Sequence, residues 1–197
     1  MALEAVERGQ LDFKTIELLP PGLSGMYKEF FDRLFAKAGV EFPQTRDVLE
    51  VVVDAREPLQ LAEIARATGL DEDYDLPPVL DRLAPFLPAR EFRYALFHKS
   101  LSDWLTGKDA KTGRKEAGAY HVSLTKGRTR LADWCWVECQ HGITKDHLYC
   151  LRHLPTHLAE VGRDDDLRTL LLNFNWLQTK LEATDPNALI ADYDYLG

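Results

Sequence analysis

His98 is the side chain whose type and setting first suggest chemistry. It closes the apolar run Phe92-Arg93-Tyr94-Ala95-Leu96-Phe97 and is followed at once by the amphipathic run Lys99-Ser100-Leu101-Ser102-Asp103-Trp104-Leu105. A lone imidazole where a strand turns into a helix holds a sensor's position more than a catalyst's. The sequence offers it no carboxylate–hydroxyl pairing of the catalytic kind. A second group is Cys135, Cys139, His141, His147, Cys150, His153 and His157, a count of ligands that suits zinc. Its spacing does not: there is no paired C-x-x-C. Pro155 lies between His153 and His157, and no Glu follows His153 to make H-E-x-x-H. Cysteines on apolar helix faces are usually packing residues, so no metal site is expected.

Nucleotide chemistry within this chain is excluded on similar grounds. A phosphate-cradling loop needs G-x-x-x-x-G-K-[ST], whereas Gly107-Lys108 is followed by Asp109 and has no glycine five residues before it. No G-x-S-x-G elbow is present. The expectation is a chain with no catalytic residues and no enzymatic activity of its own.

Composition bounds the alternatives. The 197 residues are 45% hydrophobic, enough for a buried core in one domain or two small ones. With 24 basic and 32 acidic residues the formal charge is −8, which opposes sequence-independent binding to nucleic acid. No signal peptide begins at Met1, and no apolar run approaches the roughly 20 residues of a membrane span. Three cysteines suit a reducing compartment. A cytoplasmic protein is expected.

The elements that would position His98 read as mainly α. Leu3 to Leu19 carries a short amphipathic segment broken at Gly9, then an apolar run closed by Pro20-Pro21-Gly22. Ser24 is placed to cap a helix with Met26, Tyr27, Phe30, Phe31, Leu34 and Phe35 at helical spacing, ending near Gly39. Thr45 is placed to cap a buried helix through Val48, Leu49, Val51, Val52 and Val53, whose length and flanks outweigh its β-branched composition. Leu59 to Ala67 is a further helix stopped at Gly69, and Pro77-Pro78 opens the next. A hairpin through Pro88-Ala89-Arg90 then leads into the strand Phe92 to Phe97. Three helices followed by such a hairpin is a winged-helix order.

Beyond a polar loop from Gly107 to Gly118, Ser123 opens a helix bearing Leu124, Leu131, Trp134, Trp136 and Val137. Three more are expected, at His147 to Val161, Asp164 to Thr184 with a break near Asn173 to Asn175, and Pro186 to Tyr195. The expected domains are connecting helices over 1–43, a winged helix over 44–106, a flexible loop over 107–119 and an all-helical domain over 120–197.

A winged helix that reads DNA presents cations and amides from its third helix. Here that helix and its approach carry Asp71, Glu72, Asp73, Asp75 and Asp81, with Arg82 and Arg90 the nearest cations. Phosphates would be repelled, so a protein-contacting winged helix is the first reading. A winged-helix DNA-binding transcriptional regulator is the alternative.

Several runs resemble one family. Gly9-Gln10-Leu11-Asp12, Leu19-Pro20-Pro21-Gly22-Leu23, Met26-Tyr27 and Phe30-Phe31 are similar to the segment that leaves the nucleotide-binding core in NACHT/NB-ARC-type STAND signal-transduction ATPases. Phe97 to Leu105 resembles the end of their winged helix. Tyr120-His121-Val122-Ser123 and Leu131-Ala132-Asp133 resemble the start of the helical domain that follows. Tyr149 to Leu158 and Phe174 to Leu181 resemble the helical region that precedes the propeller in WD-repeat-associated members, the apoptotic protease-activating factor-like group.

The resemblance implies a regulatory fragment of a switch. In such proteins ADP holds a closed monomer, and ligand binding to the C-terminal repeats permits nucleotide exchange and oligomerisation. It implies that His98 contacts the nucleotide phosphate in the full-length parent, although Lys99 stands where plant relatives carry Asp. A local role, tying the wing to the next helix, stays open for His98. ADP or ATP is expected only in the parent, with no cofactor in this fragment. The implied partners are the nucleotide-binding module and C-terminal repeats of the same parent and other proteins, with no nucleic acid and no membrane.

Overall fold

The run Val48-Leu49-Glu50-Val51-Val52 is helical despite its β-branched content, because every one of these residues is buried against other helices. In the computed structural model, which describes residues 22–36, 42–107, 113 and 115–196, ten α-helices and one three-stranded sheet carry the described chain. Among the described residues no helix is long and apolar enough to cross a membrane. The segment Leu3 to Leu19, the stop near Gly39 and most of the loop after Gly107 lie outside the described residues.

The chain divides into two compact units. One contains residues up to Phe42 together with His98 to His121. Its helices are α1, Gly22–Ala36, and α5, Lys99–Thr106. Tyr27, Phe31 and Phe35 recur every four residues and bury one face of α1. Phe31 meets Trp104 edge-on at 5.1 Å and Tyr120 at 5.3 Å between ring centroids, and Phe42 closes on Phe35 at 5.0 Å. Helix α1 begins at Gly22, so Ser24 lies inside it, and Phe30 of the expected stripe is 49% exposed.

The other unit contains Pro43 to Phe97 and Val122 to Gly197. It begins with α2, Pro43–Asp54, and a short strand β1, Leu59–Gln60. Helix α3, Leu61–Thr68, follows; the Gln60 amide donates to Glu63 in a capping box, and Gly69 closes the helix with φ of 74°. Helix α4, Leu76–Leu83, has Pro77 and Pro78 in its first turn.

Strands β2, Ala89–Arg90, and β3, Arg93–Tyr94, form an antiparallel hairpin, and β3 also pairs with β1. The strand expected over Phe92 to Phe97 is therefore much shorter. Glu91 and Phe92 form its two-residue turn at φ of 52° and 61°.

Five helices complete this unit: α6, Leu124–Gly142, α7, Leu148–Glu160, α8, Asp164–Leu171, α9, Phe174–Ala183, and α10, Pro186–Asp192. Ser123 caps α6, accepting from the Lys126 amide at 3.3 Å. Asn173 accepts from the Trp176 amide at 3.1 Å and so starts α9, which is why the long pattern from Asp164 to Thr184 divides there. Leu131, Cys135, Cys150, Leu154, Leu167 and Trp176 are among the residues buried between these helices. The Lys180 ammonium pairs with the Asp192 carboxylate inside this layer and lies 5.1 Å from the Trp176 ring centroid.

Candidate functional site

His98 is the N-cap of α5. Its extended backbone (φ −155°, ψ 141°) lets the ring turn back over the first helical turn. Nδ1 accepts from the Ser100 amide at 3.1 Å and lies 2.7 Å from Ser100 Oγ, which is itself 2.7 Å from Tyr27 Oη. An Nδ1 that accepts from an amide places the proton of a neutral ring on Nε2. His98 is thus an exposed ring with a local capping role, and its Nε2–H is a hydrogen-bond donor.

The other chemistry-bearing group runs from a buried centre to the surface and was not legible in the sequence. Asp54 ends α2, Arg128 lies on α6, and Tyr149, His157 and Glu160 lie on α7. His157 is 0% exposed, and its Nε2 is 3.0 Å from Tyr149 Oη. Tyr149 Oη also accepts from the Arg56 amide at 3.3 Å. Arg128 Nε donates to Asp54 Oδ1 at 3.2 Å and stands 3.6 Å from Glu160 Oε2. The Arg56 guanidinium pairs with Glu160 Oε1.

Burial dominates the protonation of Asp54, His157 and Tyr149. It pushes the Asp54 carboxyl up to about 6, against the opposing pull of Arg128. It pushes the His157 imidazole down to about 4, helped by the charges of His153 and Arg56. Burial also raises the Tyr149 hydroxyl well above its ordinary range. A hydroxyl, an imidazole and a carboxylate in one cluster superficially resemble a hydrolytic triad. Yet a 1%-exposed phenol whose ionisation is suppressed is no nucleophile. The cluster can hold a proton or a cation, and it ties the end of α2 to α6 and α7.

The seven Cys and His side chains with zinc-like numbers do not converge. Cys135 and Cys150 are both buried, and Cys135 is pushed well above the usual thiol range, chiefly by burial and also by Cys150 beside it. His147 sits 3.3 Å from Glu138, His153 sits 3.7 Å from Glu57, and His141 is exposed. Among the described residues one trio brings its donor atoms together, and it is drawn otherwise: Asp54, His157 and Glu160, within 4.8 Å of one another. The i, i+3 spacing of His157 and Glu160 was a weak sequence signal for one helical face. Nothing local connected them to Asp54.

Helices α7 to α10 and the end of α6 are also where a known family is recognised. Residues 131–196 match the APAF-1 helical domain. The match covers about a third of the chain, and both runs quoted for the pre-propeller helices, Tyr149 to Leu158 and Phe174 to Leu181, fall inside it. The runs quoted for the winged helix and for the segment leaving a nucleotide-binding core fall outside it. No curated protein and no solved structure matches the chain. The C-terminal helices are therefore similar to an APAF-1-type helical domain, and that similarity extends to α7, which carries His157 and Glu160.

Proposed function

We propose that the chain is a non-catalytic regulatory fragment of a NACHT-like STAND signal-transduction ATPase. It couples the nucleotide state of its parent to oligomerisation through winged-helix and helical-domain contacts. The observation that carries this reading is the match of residues 131–196 to the APAF-1 helical domain. Two features support it further. The order α2–β1–α3–α4–β2–β3, with an antiparallel hairpin after the third helix, supports the winged-helix part of this reading. The His98 Nε2–H, fixed by the Ser100 amide on the opposite nitrogen, is a donor suited to a phosphate oxygen.

In this reading His98 senses ADP or ATP held by the parent's nucleotide-binding module, and the C-terminal repeats supply the trigger. The parent acts in the cytoplasm. The test is His98→Ala in the full-length parent, which should speed nucleotide exchange and move the protein from monomer toward oligomer. An unchanged exchange rate together with an unchanged mass overturns the sensor role. The chain alone should not turn over ATP; measurable hydrolysis would overturn the fragment reading.

The same helix–hairpin order favours one other reading, a winged-helix DNA-binding transcriptional regulator. The exposed acidic approach Asp71, Glu72, Asp73 and Asp75 weighs against it. Duplex binding that weakens steeply with added salt would establish it.

A further inference from the structure

We propose that Asp54, His157 and Glu160 bind one divalent transition-metal ion of the zinc class. One donor atom from each lies within 4.8 Å of the others. Ligands about 2.0–2.2 Å from a shared zinc stand roughly 3–4 Å apart, so small side-chain movements close the site. His157 and Glu160 are three residues apart on α7, and Asp54 reaches them from the last position of α2.

The stronger argument is how each of the three residues is held. Asp54 Oδ1 accepts from Arg128, while its buried Oδ2 has no hydrogen-bond partner among the described residues. His157 Nε2 pairs with Tyr149 Oη, while its buried Nδ1 has no hydrogen-bond partner among the described residues. Glu160 Oε1 accepts from Arg56, and its Oε2 lies 3.6 Å from Arg128 Nε. Every residue thus has one atom tied to an outer partner and the other left over, the pattern in which outer contacts orient metal ligands. In the Nε2–H tautomer, which donates to Tyr149 Oη, Nδ1 offers only a lone pair, as does an ionised Asp54 Oδ2. Two buried acceptors cannot satisfy each other, and a cation satisfies both.

Charge and donor type define the ion. Two carboxylates supply negative charge to a dication, shared with the Arg56 and Arg128 guanidiniums that already pair with them. The Arg56 and Arg128 side chains, 39% and 36% exposed, keep their own charges at the solvent edge. One imidazole nitrogen with two carboxylate oxygens suits zinc, manganese or ferrous iron better than magnesium or calcium, which prefer all-oxygen shells. Glu160, exposed at the end of α7, provides the route in.

The intact chain, stripped with chelator, is titrated with Co2+ as a visible stand-in and then with Zn2+ in competition. The expected result is saturable d–d absorption that Zn2+ abolishes. Glu160→Gln should weaken Co2+ binding at least 10-fold. Tyr149→Phe keeps every ligand but releases the imidazole, and should weaken binding about 10–100-fold with far-UV circular dichroism unchanged. Absence of saturable absorption overturns the proposal. So does thiolate-to-cobalt charge transfer that Cys139→Ser removes, which would place the ion on the cysteines. Binding unmoved by Glu160→Gln overturns it equally.

Discussion

Gly127 of α6 lies so close to Glu50 of α2 that a Cβ at this position would fall well inside the van der Waals distance of the Glu50 carbonyl oxygen. The obstacle is helix backbone, which cannot swing aside as a side chain can. The two helices therefore cross at a point that only glycine permits.

Gly127→Ala should destabilise this unit by about 2–3 kcal/mol, although alanine is the better helix former by about 1 kcal/mol. A lower urea midpoint with an unchanged m-value is the expected readout. A midpoint equal to that of the parent chain would show that the crossing relaxes.

The Lys180–Asp192 pair should behave as a buried ion pair that is costly to break. Lys180 is 1% exposed, and burial opposes the charged form of both partners more than the pairing between them favours it. Asp192→Ala should cost about 3–5 kcal/mol by leaving the ammonium alone, while the double replacement Lys180→Met with Asp192→Leu should recover most of that loss. Thermal unfolding of the three proteins checks this; equal losses for single and double variants would contradict it.

Asp54 and His157 should oppose each other in acid. The Asp54 pKa is raised from 3.8 to about 6, so the native state keeps a proton that the unfolded chain has lost. Its contribution is fully present below 3.8 and is lost as pH rises through 6. The His157 pKa is lowered from 6.5 to about 4, so its contribution is present above 6.5 and is lost as pH falls through 4. Between pH 4 and 6 the two slopes cancel. In chelator-treated protein, Asp54→Asn removes one of them while Arg56, Arg128, Tyr149, His153 and Glu160 stay around the imidazole. Its stability should then fall by about 3 kcal/mol relative to the parent chain between pH 6.5 and 4. Parallel curves for the two proteins would refute the assignment.

The hairpin turn should tolerate improvement. Phe92 is 90% exposed and holds φ of 61°, a conformation that side chains beyond Cβ disfavour and glycine accepts. Phe92→Gly should raise stability by about 1 kcal/mol in urea unfolding. Loss of stability would show that the phenyl ring supports the hairpin.

Most helices were legible because their signals are local. Ser123 and Asn173 satisfy orphan amides within three residues, Gly69 supplies a left-handed stop, and Pro77, Pro78 and Pro186 sit in first turns where no amide donor is missed. The helical reading of Val48 to Val53 was also local, a matter of length and flanks. His98 was legible as a junction residue, and its cap to Ser100 is again a two-residue affair.

Sequence alone thus determined which segments are helical and where most of them stop. Tertiary structure decided the strand at Leu59-Gln60, which exists only by pairing with Arg93-Tyr94, and shortened the strand expected over Phe92 to Phe97. It also decided that Phe31 is buried while Phe30 faces solvent, since the packed face of α1 is set by Trp104 and Tyr120 from elsewhere in the chain. Above all it brought Asp54 to His157 and Glu160. Periodicity records which residues share a face of one helix, but the partner that faces them is fixed by packing between helices distant in sequence.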